Sequence, residues 1–140
     1  MRLDSSVMLL ALGAGIDQLV EDADDVVIHL YSDDAWPDSV LPYLRLVREL
    51  ADADLTAESA ALDDYSGIRI DLKNEHQREA FVRLLPFVIG AEIWSGTCQL
   101  LEAADTGDHI ILTLTDDQER ALRESLNEKG MSFEACFVRP

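Results

Sequence analysis

Alternating apolar residues recur at a fixed spacing along the chain. Val26, Ile28 and Leu30 are followed after 42 positions by Ile68, Ile70 and Leu72, and after 42 more by Ile110, Leu112 and Leu114. A period of two marks an extended segment with one buried face, so three strands of one kind are expected. Two of them run straight into helix starts. Asn74 is followed three residues on by Gln77, and Asp116 by Glu119, each pair offering a capping side chain and a partner that can reach back to it. Gly90 and Gly130 then mark the expected helix ends.

Beyond each of these glycines another extended stretch is expected, Glu92 to Leu101 and Met131 to Val138, the latter alternating Met131, Phe133, Ala135 and Phe137. Residues 66–140 then spell βαββαβ, the ferredoxin-like order. The first repeat delays its helix: Trp36-Pro37-Asp38-Ser39 places a proline at the start, and Leu41, Leu44, Val47 and Leu50 line one face. Its second strand is expected within Leu55 to Leu62. An N-terminal helix over Asp4 to Asp22 carries the stripe Leu9, Leu12, Ile16 and Leu19. The expectation is a single α+β domain spanning 1–140: residues 1–65 supply the helix and a first βα(β) unit, and 66–140 supply two βαβ units. Its sheet is largely antiparallel, with the helices on one face. The opposite face would present Val27, His29, Tyr31, Arg69, Asp71, Lys73, Ile111, Thr113, Glu134 and Cys136.

Charge bounds the function. There are 28 acidic residues against 11 basic ones, a net charge of −17. A surface of that sign repels phosphate backbones and anionic lipid, which argues against direct nucleic-acid or membrane binding and leaves basic proteins as partners. The excess is uneven: residues 1–65 hold 15 acids and 3 bases, or −12, and residues 66–140 hold 13 and 8, or −5. No Lys or Arg occurs between Arg2 and Arg45. General solubility, or adaptation to high salt with arginine favoured over lysine, would produce acidity too, but neither explains its concentration in one repeat.

Motifs for chemistry are lacking. Gly13-Ala14-Gly15 suggests a dinucleotide loop, yet the third glycine position is Gln18 and about eight residues separate Gly15 from the next strand, too few for a crossover helix. His29, His76 and His109 have no ligand spacing around them, and the paired acids Asp24-Asp25, Asp33-Asp34, Asp63-Asp64 and Asp116-Asp117 lack the frame of a calcium loop. Neither a metal nor a cofactor is expected, and no catalytic residue is assigned. Cys98 and Cys136 form no disulfide framework, and the apolar run Val7 to Ile16 falls short of the ~20 residues of a membrane helix, so a cytoplasmic protein is expected.

In size, acidity and lack of a catalytic signature the chain resembles immunity proteins and antitoxins. That resemblance implies a non-enzymatic inhibitor that neutralises a basic toxin or nuclease-like enzyme by occluding its site. The expected contact set is Asp33, Asp34, Trp36, Asp38, Asp63, Asp64 and Tyr65, carboxylates around an aromatic anchor. The alternative is a small-molecule-binding regulatory module, because the βαββαβ order is similar to that of ACT-type domains. The sheet is also expected to offer a homodimer surface.

Overall fold

Strand β1 (Asp25–Leu30) alternates as its sequence requires: Val26, Ile28 and Leu30 are buried, while Asp25, Val27 and His29 are partly covered. It lies inside a five-stranded sheet in the computed structural model, which describes residues 5–30, 36–53, 65–104 and 109–137. The other strands are β2 (Tyr65–Arg69), β3 (Gly90–Ser95), β4 (Cys98–Ala104) and β5 (His109–Leu112). Their order is β2-β1-β3-β4-β5, and every neighbouring pair is antiparallel. The helices are α1 (Ser5–Asp17), α2 (Leu41–Ala53), α3 (Glu75–Leu84), α4 (Asp116–Glu128) and the short α5 (Phe133–Cys136). The fold is thus α+β, with an open antiparallel sheet and five helices.

One core gathers the inward side chains. Leu12 and Ile16 of α1, Leu44 and Val47 of α2, and Phe81 and Leu84 of α3 meet Ile28, Ile68, Ile93 and Leu101 of the strands. Each such side chain taken fully out of water contributes about 1.5–3 kcal/mol. A smaller cluster joins Ala11 and Ala14 of α1 to Leu122 and Leu126 of α4. Gly15 lets α1 approach β5 closely: a Cβ there would lie 2.8 Å from Leu112 Cδ1. Leu9 of the expected stripe is partly buried against the core, and Leu12, Ile16 and Leu19 are buried.

Caps follow the sequence with one shift. The Asn74 side chain accepts from the Gln77 amide as expected. At α4 the box forms one residue earlier than expected, with Thr115 accepting from the Gln118 amide and Gln118 Oε1 accepting from the Thr115 amide. The Gln118 amide group also donates to Gln18 O and Asp22 Oδ2, tying α4 to the turn after α1. Gly130 ends α4 with φ +73°, while Met131 N donates to Leu126 O and Gly130 N to Asn127 O, a Schellman closure. Gly90, by contrast, opens β3; α3 ends at Leu84 and continues as a 3-10 turn, Leu85–Phe87.

The ferredoxin-like order is not reproduced, for two local reasons. First, Glu92 to Leu101 is not one strand but the hairpin β3–β4. Gly96, at φ +57°, supplies the two-residue turn with Thr97, and its amide donates to Asp24 Oδ2 at 2.8 Å. Second, residues 133–136 are helical. The alternation of Phe133 and Phe137 is also an i,i+4 aromatic pair, and the rings stack at 5.3 Å between centroids. Arg123 of α4 lies 4.1 Å over the Phe133 ring and binds Glu134. That hydrogen bond holds the Glu134 carboxyl below the usual carboxylate range and raises Arg123 above its ordinary value. What remains of the expected plan is one split βαβ unit: β2 and β3 run parallel, linked by α3, with β1 inserted between them.

Glu134 and Cys136 therefore sit on α5 rather than on the sheet, and Asp71, Lys73 and Thr113 lie just beyond strand ends. Tyr31 and the strand expected within Leu55 to Leu62 lie outside the described residues. Both cysteines are free thiols: Cys98 is exposed, and partial burial pushes the Cys136 thiol up from its ordinary value. Among the described residues no helix is long and apolar enough to cross a membrane.

Candidate protein-binding face

The sheet face opposite the core is set by register. Val27 stands between Arg69 on β2 and Glu92 on β3; Glu92 opposes Glu102 on β4, and Glu102 opposes Ile111 on β5. A neighbouring row runs from His29 through Gly90 and Ala104 to His109. Val27, His29 and Glu92 are half-buried, while Arg69, Glu102, His109 and Ile111 are exposed.

Two side chains define this face chemically. Glu92 and Glu102 are direct cross-strand partners, so their Cβ atoms stand about 5 Å apart, an arrangement that destabilises the sheet when both are ionised. Trp94, two residues along β3, is half-buried and donates from Nε1 to Glu92 Oε2 at 3.0 Å. The indole is thereby fixed beside the carboxylates, with Asp25 across from it on β1. Asp25 pairs with Arg69 at 3.3 Å in a solvent-exposed contact. The face thus sets an aromatic ring, its N–H already donated to Glu92, beside acidic side chains.

His29 has a structural task on the same face. Between the pairs Ile28–Ile68 and Leu30–Tyr65, one β1 residue opposes two on β2, a bulge with Gly67 at φ +71°. The Gly67 amide donates to His29 Nδ1 at 2.9 Å, so the side chain replaces the missing ladder bond. The ring lies over Gly90, where a Cβ would come within 3.3 Å of His29 Cδ2.

Of the contact set expected from sequence, Asp33, Asp34, Asp63 and Asp64 lie outside the described residues, as does the side chain of Tyr65. Tyr65 opens β2 opposite Leu30, so the chain leaves β1 at the point where it begins β2. Asp38 is exposed in the 3-10 turn Asp38–Val40. Trp36 is half-buried and packs against the main core, its indole N–H enclosed with no acceptor among the described residues. Glu92, Trp94 and Glu102 escaped the sequence reading because the Gly96–Thr97 turn was read through as strand. Gly96 signals the turn, but folding back about it alone would pair Glu92 with Leu101; the register shift between Ile93 and Trp94 brings Glu92 opposite Glu102, and no sequence signal marks it.

Among the described residues no group of His, Cys, Asp and Glu is placed to hold a metal. Compared with known proteins, the chain matches no family model, no curated protein and no solved structure.

Proposed function

We propose that the chain is a non-enzymatic, acidic protein-binding inhibitor of the immunity-protein or antitoxin kind, which neutralises a basic toxin or nuclease-like enzyme by covering its cationic site. The observation that carries this reading is the Glu92–Glu102 pair with Trp94 beside it. Like charges placed directly opposite each other weaken a sheet, and a cation arriving from outside turns that penalty into binding energy. Trp94 supplies the apolar contact such an interface needs near its centre.

The reading treats α1, α2 and α3 as packed on one side of the sheet, leaving the Glu92 face for the partner. Self-association through that face would set Glu92 and Glu102 against their own copies, which favours a basic partner over a second copy there. The expected contact residues Asp33, Asp34, Asp38, Asp63 and Asp64 belong to the same acidic excess of residues 1–65.

The test is binding to any basic protein encoded by a neighbouring reading frame, measured by titration calorimetry at physiological salt. Wild-type chain should bind, and Glu92→Arg with Glu102→Arg should slow association and raise Kd by at least about a hundredfold, the range for charged interface pairs. Absence of a basic neighbour that binds, or binding unchanged in the double variant, overturns the assignment. Thermal stabilisation by an amino acid or nucleotide would instead favour a regulatory module.

A further inference from the structure

The contact between Gly67 and His29 has a fixed direction. A backbone amide only donates, so the Gly67 N–H, its nitrogen 2.9 Å from His29 Nδ1, requires that Nδ1 be bare and the ring proton sit on Nε2. An imidazolium carries hydrogens on both nitrogens and accepts at neither. One added proton therefore sets two donors against each other. The contact lies where the β1–β2 ladder is broken, between the pairs Ile28–Ile68 and Leu30–Tyr65, and β2 is an edge strand of the sheet.

The ring has room to leave that position. Its Cδ2 edge lies over Gly90, whose φ is outside the left-handed region, so the missing side chain there serves space rather than backbone conformation. Carboxylates lie on that side. Val27 opposes Glu92 and His29 opposes Gly90, so Glu92 is the diagonal neighbour of His29, roughly 7 Å away and within reach of a long side chain. Glu102 stands beyond it on β4. Among the described residues of the sheet face, the other charged or titratable groups are Asp25 on β1 and Arg69 on β2, paired with each other at 3.3 Å, and His109 on β5, three strands and about 14 Å from His29. An imidazolium at residue 29 is thus repelled by the Gly67 amide and attracted by Glu92 and Glu102.

We propose that His29 is a pH-sensitive latch on the β1–β2 edge: the neutral ring closes the bulge by accepting from Gly67, and the protonated ring turns across Gly90 toward Glu92 and Glu102 and releases it. Half a turn about χ2 is enough, because it exchanges Nδ1 with Cδ2 and carries the Nδ1–H to the β3 side. Imidazole is the side chain that ordinarily changes charge between about pH 5 and 8, so the latch works under mild acidification. Ile28 and Ile68 remain buried on the other face, which confines the change to the bulge and the start of β2. The latch requires no partner and does not rest on the function proposed for the face.

Nuclear magnetic resonance of the isotope-labelled full chain, following the His29 ring nitrogens and the Gly67 amide from about pH 8 to about pH 5, tests this. At the upper end Nδ1 should show the shift of a bare nitrogen and Nε2 that of a protonated one. As the ring takes up its proton, protection of the Gly67 amide, corrected for the intrinsic exchange rate, should fall about three- to tenfold with the same midpoint, the worth of one net hydrogen bond. His29→Asn keeps an acceptor, Oδ1, in the place of Nδ1 and does not titrate, so Gly67 should stay protected throughout. Glu92→Gln with Glu102→Gln should move the wild-type midpoint to lower pH. Gly67 protection that ignores the His29 titration, a transition that persists in His29→Asn, or a midpoint unmoved in the double glutamine variant overturns the proposal.

Discussion

Neutralising Glu102 should make the protein more stable and a poorer binder. Glu102 is exposed and faces the half-buried Glu92 across the β3–β4 ladder. Two carboxylates about 6 Å apart in a water-like dielectric repel by about 0.7 kcal/mol, and cross-strand pairs span about 0.2–1 kcal/mol. Glu102→Gln keeps the shape and removes that repulsion, so unfolding in urea at low ionic strength should show a gain of about 0.5 kcal/mol with unchanged m-value. The accompanying rise in Tm is at most about 3 °C for a chain of this size. In 1 M salt the Debye length falls to about 3 Å and the gain should vanish. Glu92→Gln is the control: it relieves the same repulsion but weakens the bond that Trp94 donates, and so should gain less or lose. A Glu102→Gln variant no more stable than wild type at low salt, or equally stabilised at 1 M, refutes the reasoning, because the pair would then carry no strain for a partner to relieve.

Other outcomes follow from the packing. Gly15→Ala, whose Cβ must displace the end of the Leu112 side chain at 2.8 Å, should gain less stability than Gly13→Ala, which with ordinary contact at 3.9 Å should stabilise by about 0.5–1 kcal/mol; paired urea titrations separate the two. Thr115→Ala removes the capping box of α4 and should cost about 1 kcal/mol. Glu134 is held below the usual carboxylate range, so its contribution is complete above that range and is lost as pH falls through its lowered folded value. The protection factors of residues 133–137, exchange rates corrected for the intrinsic pH dependence of amide exchange, should therefore fall in acid, and Arg123→Gln should abolish that change. Alkylation followed by peptide mapping should find Cys98 modified first because it is exposed, with Cys136 reacting only as pH rises past the ordinary thiol range.

Period-two patterns located β1, β2 and β5 because each buries one face, and those strands sit within a few residues of the expected positions. The α1 stripe and the cap at Asn74 were legible for the same reason: spacing and side-chain chemistry are local. What stayed hidden depends on contacts distant in sequence. Phe133 and Phe137 fit a strand and a helical turn equally well by pattern, and their contacts with α1 and α4, Arg123 among them, accompany the helical form. The candidate face was hidden by the Gly96–Thr97 turn and by the register shift between Ile93 and Trp94, which together set Glu92 opposite Glu102. Trp36 appeared in sequence as a loop anchor beside acids, but the core takes half of it. His29 was legible as a residue of the open sheet face, though its acceptor role toward Gly67 depends on a bulge that no pattern reveals.

Hydrogen-exchange mass spectrometry of the chain alone and with the basic partner proposed for it tests the central claim most directly. The account predicts protection concentrated in residues 25–30, 90–95 and 98–104, the strands that carry Asp25, Glu92, Trp94 and Glu102. Protection confined to α1 and α3, with those strands exchanging as they do in the free chain, would contradict it.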